Sequence, residues 1–113
     1  MPYENNRVVV TGIGTFNPLG SDMDSTWKSM VAGKSGIDYI TLFDTTDIQT
    51  KFGGEVKGFT ATDYMSRKEA RHMDRFSQLA VAAGFQALEH SAISINSESQ
   101  YKIGSIIGSA IGG

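Results

Sequence analysis

The sequence predicts an α/β fold with parallel core strands around buried helices, and three stretches carry that expectation. Val8, Val9 and Val10 form a β-branched run without polar alternation, the pattern of a strand buried on both faces, as in a parallel sheet. Residues 73–92 are strong helix formers in which Phe76, Leu79, Ala80, Ala83 and Ala87 trace one face and Val81, Phe85 and Leu88 widen it. The run KIGSIIG at residues 102–108 then reads as a second buried strand, expected to lie parallel beside the first.

Taken in order, the first strand ends at Gly12 and Gly14, which allow close approach where side chains would obstruct. Pro18 fixes its own φ and disfavours helix at Asn17, so a helix can start only beyond Gly20. Ser21 is the expected cap of a helix over residues 22–32, with Asp24 near its positive end. Met23, Trp27, Met30 and Val31 give that helix one apolar face for the sheet, and Gly33 stops it. Residues 37–43 and 52–56, with Phe59, mix apolar residues with glycines and read as strand or irregular edge. Ser66-Arg67-Lys68-Glu69 fits a Ser-x-x-Glu capping box ahead of the long helix. That helix is apolar over enough of its circumference to be buried on several sides, with its alanines and Gly84 admitting a close neighbour. Residues 92–100 are turn-like, and after the last strand comes SAIGG. A buried strand followed only by a glycine tail lacks covering elements, so the chain is expected to be a fragment, one piece over residues 1–113.

Composition bounds the function classes. With 113 residues the chain is one domain at most, 40% hydrophobic and 19% charged, which is globular rather than disordered. A formal charge of -2 offers no general attraction for nucleic acid or an anionic membrane, so a basic docking surface must be local. The absence of cysteine removes disulfides, thiolate metal sites and a cysteine nucleophile from these residues. No leader-type start and no apolar stretch long enough for a bilayer is present, so a cytoplasmic location is expected.

Gly12-Ile13-Gly14 after a strand invites a dinucleotide-binding reading, but the third position of GxGxxG holds Asn17 and Pro18 follows it. A structural turn is the better reading. The two histidines, His72 and His90, have no metal-ligand spacing, and His90 suits the negative end of a helix. No cofactor and no metal is expected. Asp22, Asp24, Asp44, Asp47, Glu69 and Asp74 suit caps, turns or ion pairs better than acid–base work. More informative is the basic group Arg67, Lys68, Arg71 and Arg75: on a continuous helix Lys68, Arg71, His72 and Arg75 share a face that could dock an acidic partner. The competing reading is a solvated face neutralised by Glu69 and Asp74.

Together these residues resemble the N-terminal part of the β-ketoacyl-acyl carrier protein synthases, condensing enzymes of fatty acid elongation, nearest the type II elongation group. The resemblance covers essentially the whole chain. It is carried by VVVTGIGTFNPLG (residues 8–20), Trp27, SGI (35–37), Phe43-Asp44, KFGGEVKGF (51–59), SRKEARHMDRFSQLA (66–80) and IGSIIGSAIGG (103–113), in that order and spacing. It implies a thiolase-like fold of two similar α/β halves whose sheets sandwich buried helices, here the N-terminal part of the first half, and usually a homodimer. It also implies a decarboxylative Claisen condensation: a cysteine takes the acyl chain from acyl carrier protein, and malonyl thioester loses carbon dioxide and attacks the acyl-enzyme. Two histidines stabilise the developing oxyanion.

The cysteine and both histidines of such enzymes belong to later segments, so residues 1–113 by themselves are expected to be inactive, and unstable or self-associating. Carried over position by position, the resemblance places Lys68 and Arg71 at basic sites that receive the acidic carrier protein. His72 stands where a lysine is usual. Ile111 matches a position lining the acyl pocket near the dimer interface, and Ala110 replaces a common glycine. Two other readings stay open: a non-catalytic carrier-binding or dimerisation piece, and a polyketide-type ketosynthase relative.

Overall fold

In the computed structural model, which describes residues 6–113, the longest element is a helix that the rest of the chain touches along most of its length. Elements run in the order α1 (Met23–Val31), β1 (Ile37–Tyr39), β2 (Phe52–Gly54), a 3₁₀ turn (Ala61–Asp63), α2 (Arg67–Arg71), α3 (Arg75–Ser91) and a second 3₁₀ turn (Gln100–Lys102). Residues 1–5, the start without a leader-type pattern, lie outside the described residues.

Helix α3 receives the glycine segment that succeeds the valine run. A Cβ built at Gly12 would overlap the carbonyl oxygen of Ala87, and one at Gly14 would overlap that of Ala83. Only glycine fits at that separation. The residues that follow each glycine are held by α3 side chains one turn apart: the Ile13 N–H donates to Nδ1 of His90 at 3.1 Å and the Thr15 N–H to Oε1 of Gln86 at 3.1 Å. Gln86 Nε2 also donates to the Ser21 carbonyl at 2.7 Å. The extended segment thus satisfies its backbone donors on a helix rather than on a neighbouring strand.

Beyond this seat the chain turns at Asn17, whose N–H and C=O both bond Gly20, at 3.0 and 3.2 Å. The Asn17 amide donates to Thr15 and Thr26 hydroxyls and accepts the Leu19 N–H, fixing the turn to α1. Phe16 enters an aromatic cluster, edge-on to Phe59 at 5.1 Å and to Tyr64 at 5.3 Å between ring centroids. The cap of α1 is Asp22 rather than the expected Ser21: its carboxylate accepts the Ser25 N–H, and the Ser25 hydroxyl accepts the Asp22 N–H, a complete capping box. Aspartate adds a full negative charge at the positive helix end, which serine lacks. At the other end Gly33 takes φ +64°, the left-handed conformation of a helix stop.

Strands β1 and β2 pair antiparallel, with Ile37 opposite Gly54 and Tyr39 opposite Phe52. They fall inside the two stretches read as strand or edge. Glu55, next after β2, is buried and folds its carboxylate over the chain leaving β1. It accepts the N–H groups of Leu42 at 2.9 Å and Thr41 at 3.0 Å, and the Thr41 hydroxyl.

The parallel core strands differ from expectation. Residues 8–10 and 103–108 run without ladder partners, and the sheet among the described residues is β1–β2 alone. Val8 is 90% exposed and Ile106 fully so, so neither run is buried on two faces. The reason is coverage: α3 lies against the segment at Gly12 and Gly14, and among the described residues no second layer closes over the valines. Trp27, Met30 and Val31 of α1 are exposed too, because among the described residues no sheet lies under them. In α3 Ala82 is the one fully buried apolar residue among those described, and the space at Gly84 is open; the close neighbour sits at Ala83 and Ala87 instead. The radius of gyration, 17.8 Å, exceeds the roughly 13 Å of a compact domain of about 100 residues.

The seat predicts opposite effects of one substitution at two glycines. Gly14→Ala forces its methyl into the Ala83 carbonyl and should destabilise by about 3 kcal/mol or more. Gly84→Ala meets nothing and should stabilise α3 by roughly 0.5–1 kcal/mol. Urea midpoints read both, and equal shifts of the two variants would contradict the packing.

Candidate functional site: a basic helix beside an aromatic cluster

Helix α2 holds most of the predicted basic group, and its sequence explains why it forms. The Ser66 hydroxyl accepts the Glu69 N–H at 3.2 Å, and the Glu69 carboxylate accepts the Ser66 N–H at 2.9 Å, the capping box expected from Ser-x-x-Glu. The Ser66 hydroxyl also donates to that carboxylate at 2.7 Å, and this bond foremost holds the Glu69 carboxyl below the ordinary carboxylate range. Glu69 is therefore turned to the helix N-terminus and away from its basic neighbours.

Lys68 and Arg71 are one turn apart on α2, both exposed. Among the described residues the one ion pair is Lys57–Asp38, at 2.7 Å across the β1–β2 hairpin, so neither Lys68 nor Arg71 has a carboxylate partner. The anticipated neutralisation by Glu69 and Asp74 does not occur. Glu69 is engaged in the cap, and Asp74, the N-cap residue of α3, packs beside Gly113.

The expected single face is also broken. The helix ends at Arg71, His72 is its cap residue with φ -97° and ψ 1°, and α3 begins afresh at Arg75. Arg75 leaves the basic group altogether: its guanidinium donates to the Val56 carbonyl at 2.8 Å and lies over the Phe59 ring, 5.5 Å from the centroid. Two cations, Lys68 and Arg71, remain together with exposed Arg67 and His72 alongside. Ile111 is 98% exposed in the C-terminal tail. The tail nevertheless returns to the start of α3: a Cβ at Gly112 would sit 3.4 Å from the Phe76 ring, and one at Gly113 would sit 2.9 Å from Asp74 Cβ.

Two cavities flank α3. One, of about 480 Å³, is lined by Ile13, Asp22, Asp24, Tyr64, Glu89 and His90; the other, of about 490 Å³, is an apolar groove between α3 and the 103–107 stretch. No group of three or more His, Asp or Glu among the described residues is placed to hold a metal ion. Among the described residues no helix is long and apolar enough to cross a membrane.

Sequence reasoning missed three polar side chains. Gln86 and His90 seat the glycine segment, and their four-residue spacing opposite Gly12 and Gly14 was the available signal. Glu55 is the third. The Leu42 N–H first, then Thr41, hold its carboxyl below the ordinary range against an opposing desolvation, so it stays ionised near neutrality. A lone glutamate after two glycines gives no sign of this.

The whole described length matches one family. Residues 5–113 fit the β-ketoacyl synthase, N-terminal domain. The chain belongs to the β-ketoacyl synthase family. It is 53% identical over 107 residues to 3-oxoacyl-acyl-carrier-protein synthase 2 of Vibrio cholerae, covering 95% of this chain and 26% of that protein. The enzyme of the same name from Synechocystis is 46% identical over 110 residues, again covering 26% of its length. The chain therefore spans about a quarter of the β-ketoacyl synthases it matches. A solved structure of the ishigamide ketosynthase/chain length factor superposes with a TM-score of 0.70 at 29% identity, over 76% of this chain and 21% of that one. The mixed helix and strand arrangement is thus that of a ketosynthase N-terminal region.

Proposed function

We propose that this chain is the N-terminal part of a 3-oxoacyl-acyl carrier protein synthase, which elongates an acyl thioester by decarboxylative condensation with malonyl-acyl carrier protein. Within it, α2 presents Lys68 and Arg71 to the acidic carrier protein. One observation carries this reading: both cations are exposed and, among the described residues, have no carboxylate partner, because the capping box has withdrawn Glu69. A structural surface helix gains nothing from unpaired like charges one turn apart, whereas an acidic partner is steered by them. Family membership adds an associational argument in the same direction.

The valine run and the 103–108 stretch are the parallel core strands of the thiolase-like arrangement, paired and covered once the rest of the polypeptide is present. Their exposure here supports this, since such runs are stable only between layers. Ile111 lines the acyl pocket near the interface of a homodimer, and the enzyme acts in the cytoplasm. The catalytic cysteine comes from outside these residues, which contain none. A polyketide-type ketosynthase is the second reading, favoured by the ketosynthase/chain length factor likeness; the higher identity to 3-oxoacyl synthases ranks it lower.

In the full-length polypeptide, Lys68→Glu or Arg71→Glu should weaken carrier protein binding about tenfold at low salt, leaving turnover of a small acyl thioester intact. Unchanged carrier affinity, read by fluorescence anisotropy across a salt series, would remove the docking assignment. Ile111→Phe should shorten the acyl chains accepted, and an unaltered product-length profile would remove that residue from the pocket.

A further inference from the structure

A helix of five residues is too short to hold its own direction in water, so something must fix the one that carries Lys68 and Arg71. Its N-terminal end has the Ser66–Glu69 box. At its C-terminal end comes a three-residue joint, His72, Met73 and Asp74, before α3 starts afresh at Arg75. One side chain spans that joint: Gln78, on the first turn of α3, donates through Nε2 to the Ala70 carbonyl at 2.9 Å and to the Met73 carbonyl at 3.1 Å. The alternative backbone partner of Ala70, the Met73 N–H, reaches it only at 3.4 Å. Both hydrogens of a single amide are thus spent on carbonyls of the last turn of α2 and of the joint, and Gln78 is partly buried while doing so.

The first residue of α3 anchors the same region. Arg75 is bound to the Val56 carbonyl and seated on Phe59, which is stacked with Tyr64 from the end of the preceding 3₁₀ turn. Helix α3 is therefore fixed to the aromatic cluster, and Gln78 passes that fixation on to α2. Without its donors, α2 keeps its N-terminal box and loses the link that sets its angle to α3.

We infer that Gln78 is a positioning residue for carrier protein recognition: its amide staples the α2–α3 joint and so holds Lys68 and Arg71 at one orientation for an acidic partner. This rests on the reading of α2 as the docking helix. Ordering the helix before the encounter spares the complex that cost, and a helix correctly oriented in only about a fifth of molecules would bind about fivefold more weakly.

Gln78→Met keeps the side chain's length and removes both donors. In the full-length polypeptide it should raise the KM for the acyl carrier protein substrate about fivefold with kcat unchanged, and leave kinetics with a small acyl thioester at the wild-type value. Lys68→Glu is measured alongside. If Lys68→Glu weakens carrier use and Gln78→Met does not, the staple is overturned while the docking surface stands. If neither affects carrier use, the docking assignment itself fails. Loss of small-thioester turnover in Gln78→Met would also overturn the inference, since it would make Gln78 a general fold residue.

Discussion

The contact on which the rest depends is the approach of Gly12 and Gly14 to the backbone of α3 at Ala87 and Ala83. It brings an extended segment so near a helix that any side chain is excluded, and it does so at two points one helical turn apart. Beside these points Gln86 and His90 replace the hydrogen bonds that a partner strand would give. The later parts of the chain are placed from there: Phe16 goes into the aromatic cluster, Asn17 into the turn that meets α1, and Phe59 and Arg75 locate the start of α3 and the basic helix before it. Fold and proposed docking face are linked by this continuous path of packing and hydrogen bonds.

The same contact explains why so little of the chain is buried. It uses glycines and alanines, which bring backbones together but remove little apolar surface from water. The bulky residues Val8, Val10, Trp27, Ile106 and Ile107 are left mostly exposed by the described residues. In relatives of which this chain is about a quarter, three quarters of the length is available to do so. Polar bonds therefore hold an unusual share of the shape: the Asp22–Ser25 and Ser66–Glu69 boxes, the Asn17 hub and the Glu55 carboxylate over Thr41 and Leu42.

Features set by local chemistry could be read from the sequence. The Ser66–Glu69 box, the Gly33 stop and the long helix come from side-chain rules acting within a turn or two, and each is present. Lys68 and Arg71 stay one turn apart on α2, as the helical reading of the basic group had them. Arg75 was not, because its fate depends on Val56 and Phe59, distant in sequence, and on a helix break at Met73 and Asp74 that no proline or glycine announces. Ser21 lost the cap to Asp22 by one residue, a boundary that helix charge decided. The parallel strands were read from apolar runs whose burial needs other elements; composition records the demand for cover and does not supply it. The backbone contacts of Gln86, His90 and Gln78 are not legible because a polar residue on a long helix ordinarily faces water, and nothing local says which backbone it will meet.

Native-state amide exchange of Ile13 and Thr15 tests the seat most directly, since these two N–H groups bond to α3 side chains. If the glycine segment and α3 form one unit, both amides should be protected as strongly as those of Ala82 and Ala83 and exchange in the same opening. Exchange of Ile13 and Thr15 at the rate of an unstructured peptide, with the α3 amides still protected, would contradict it.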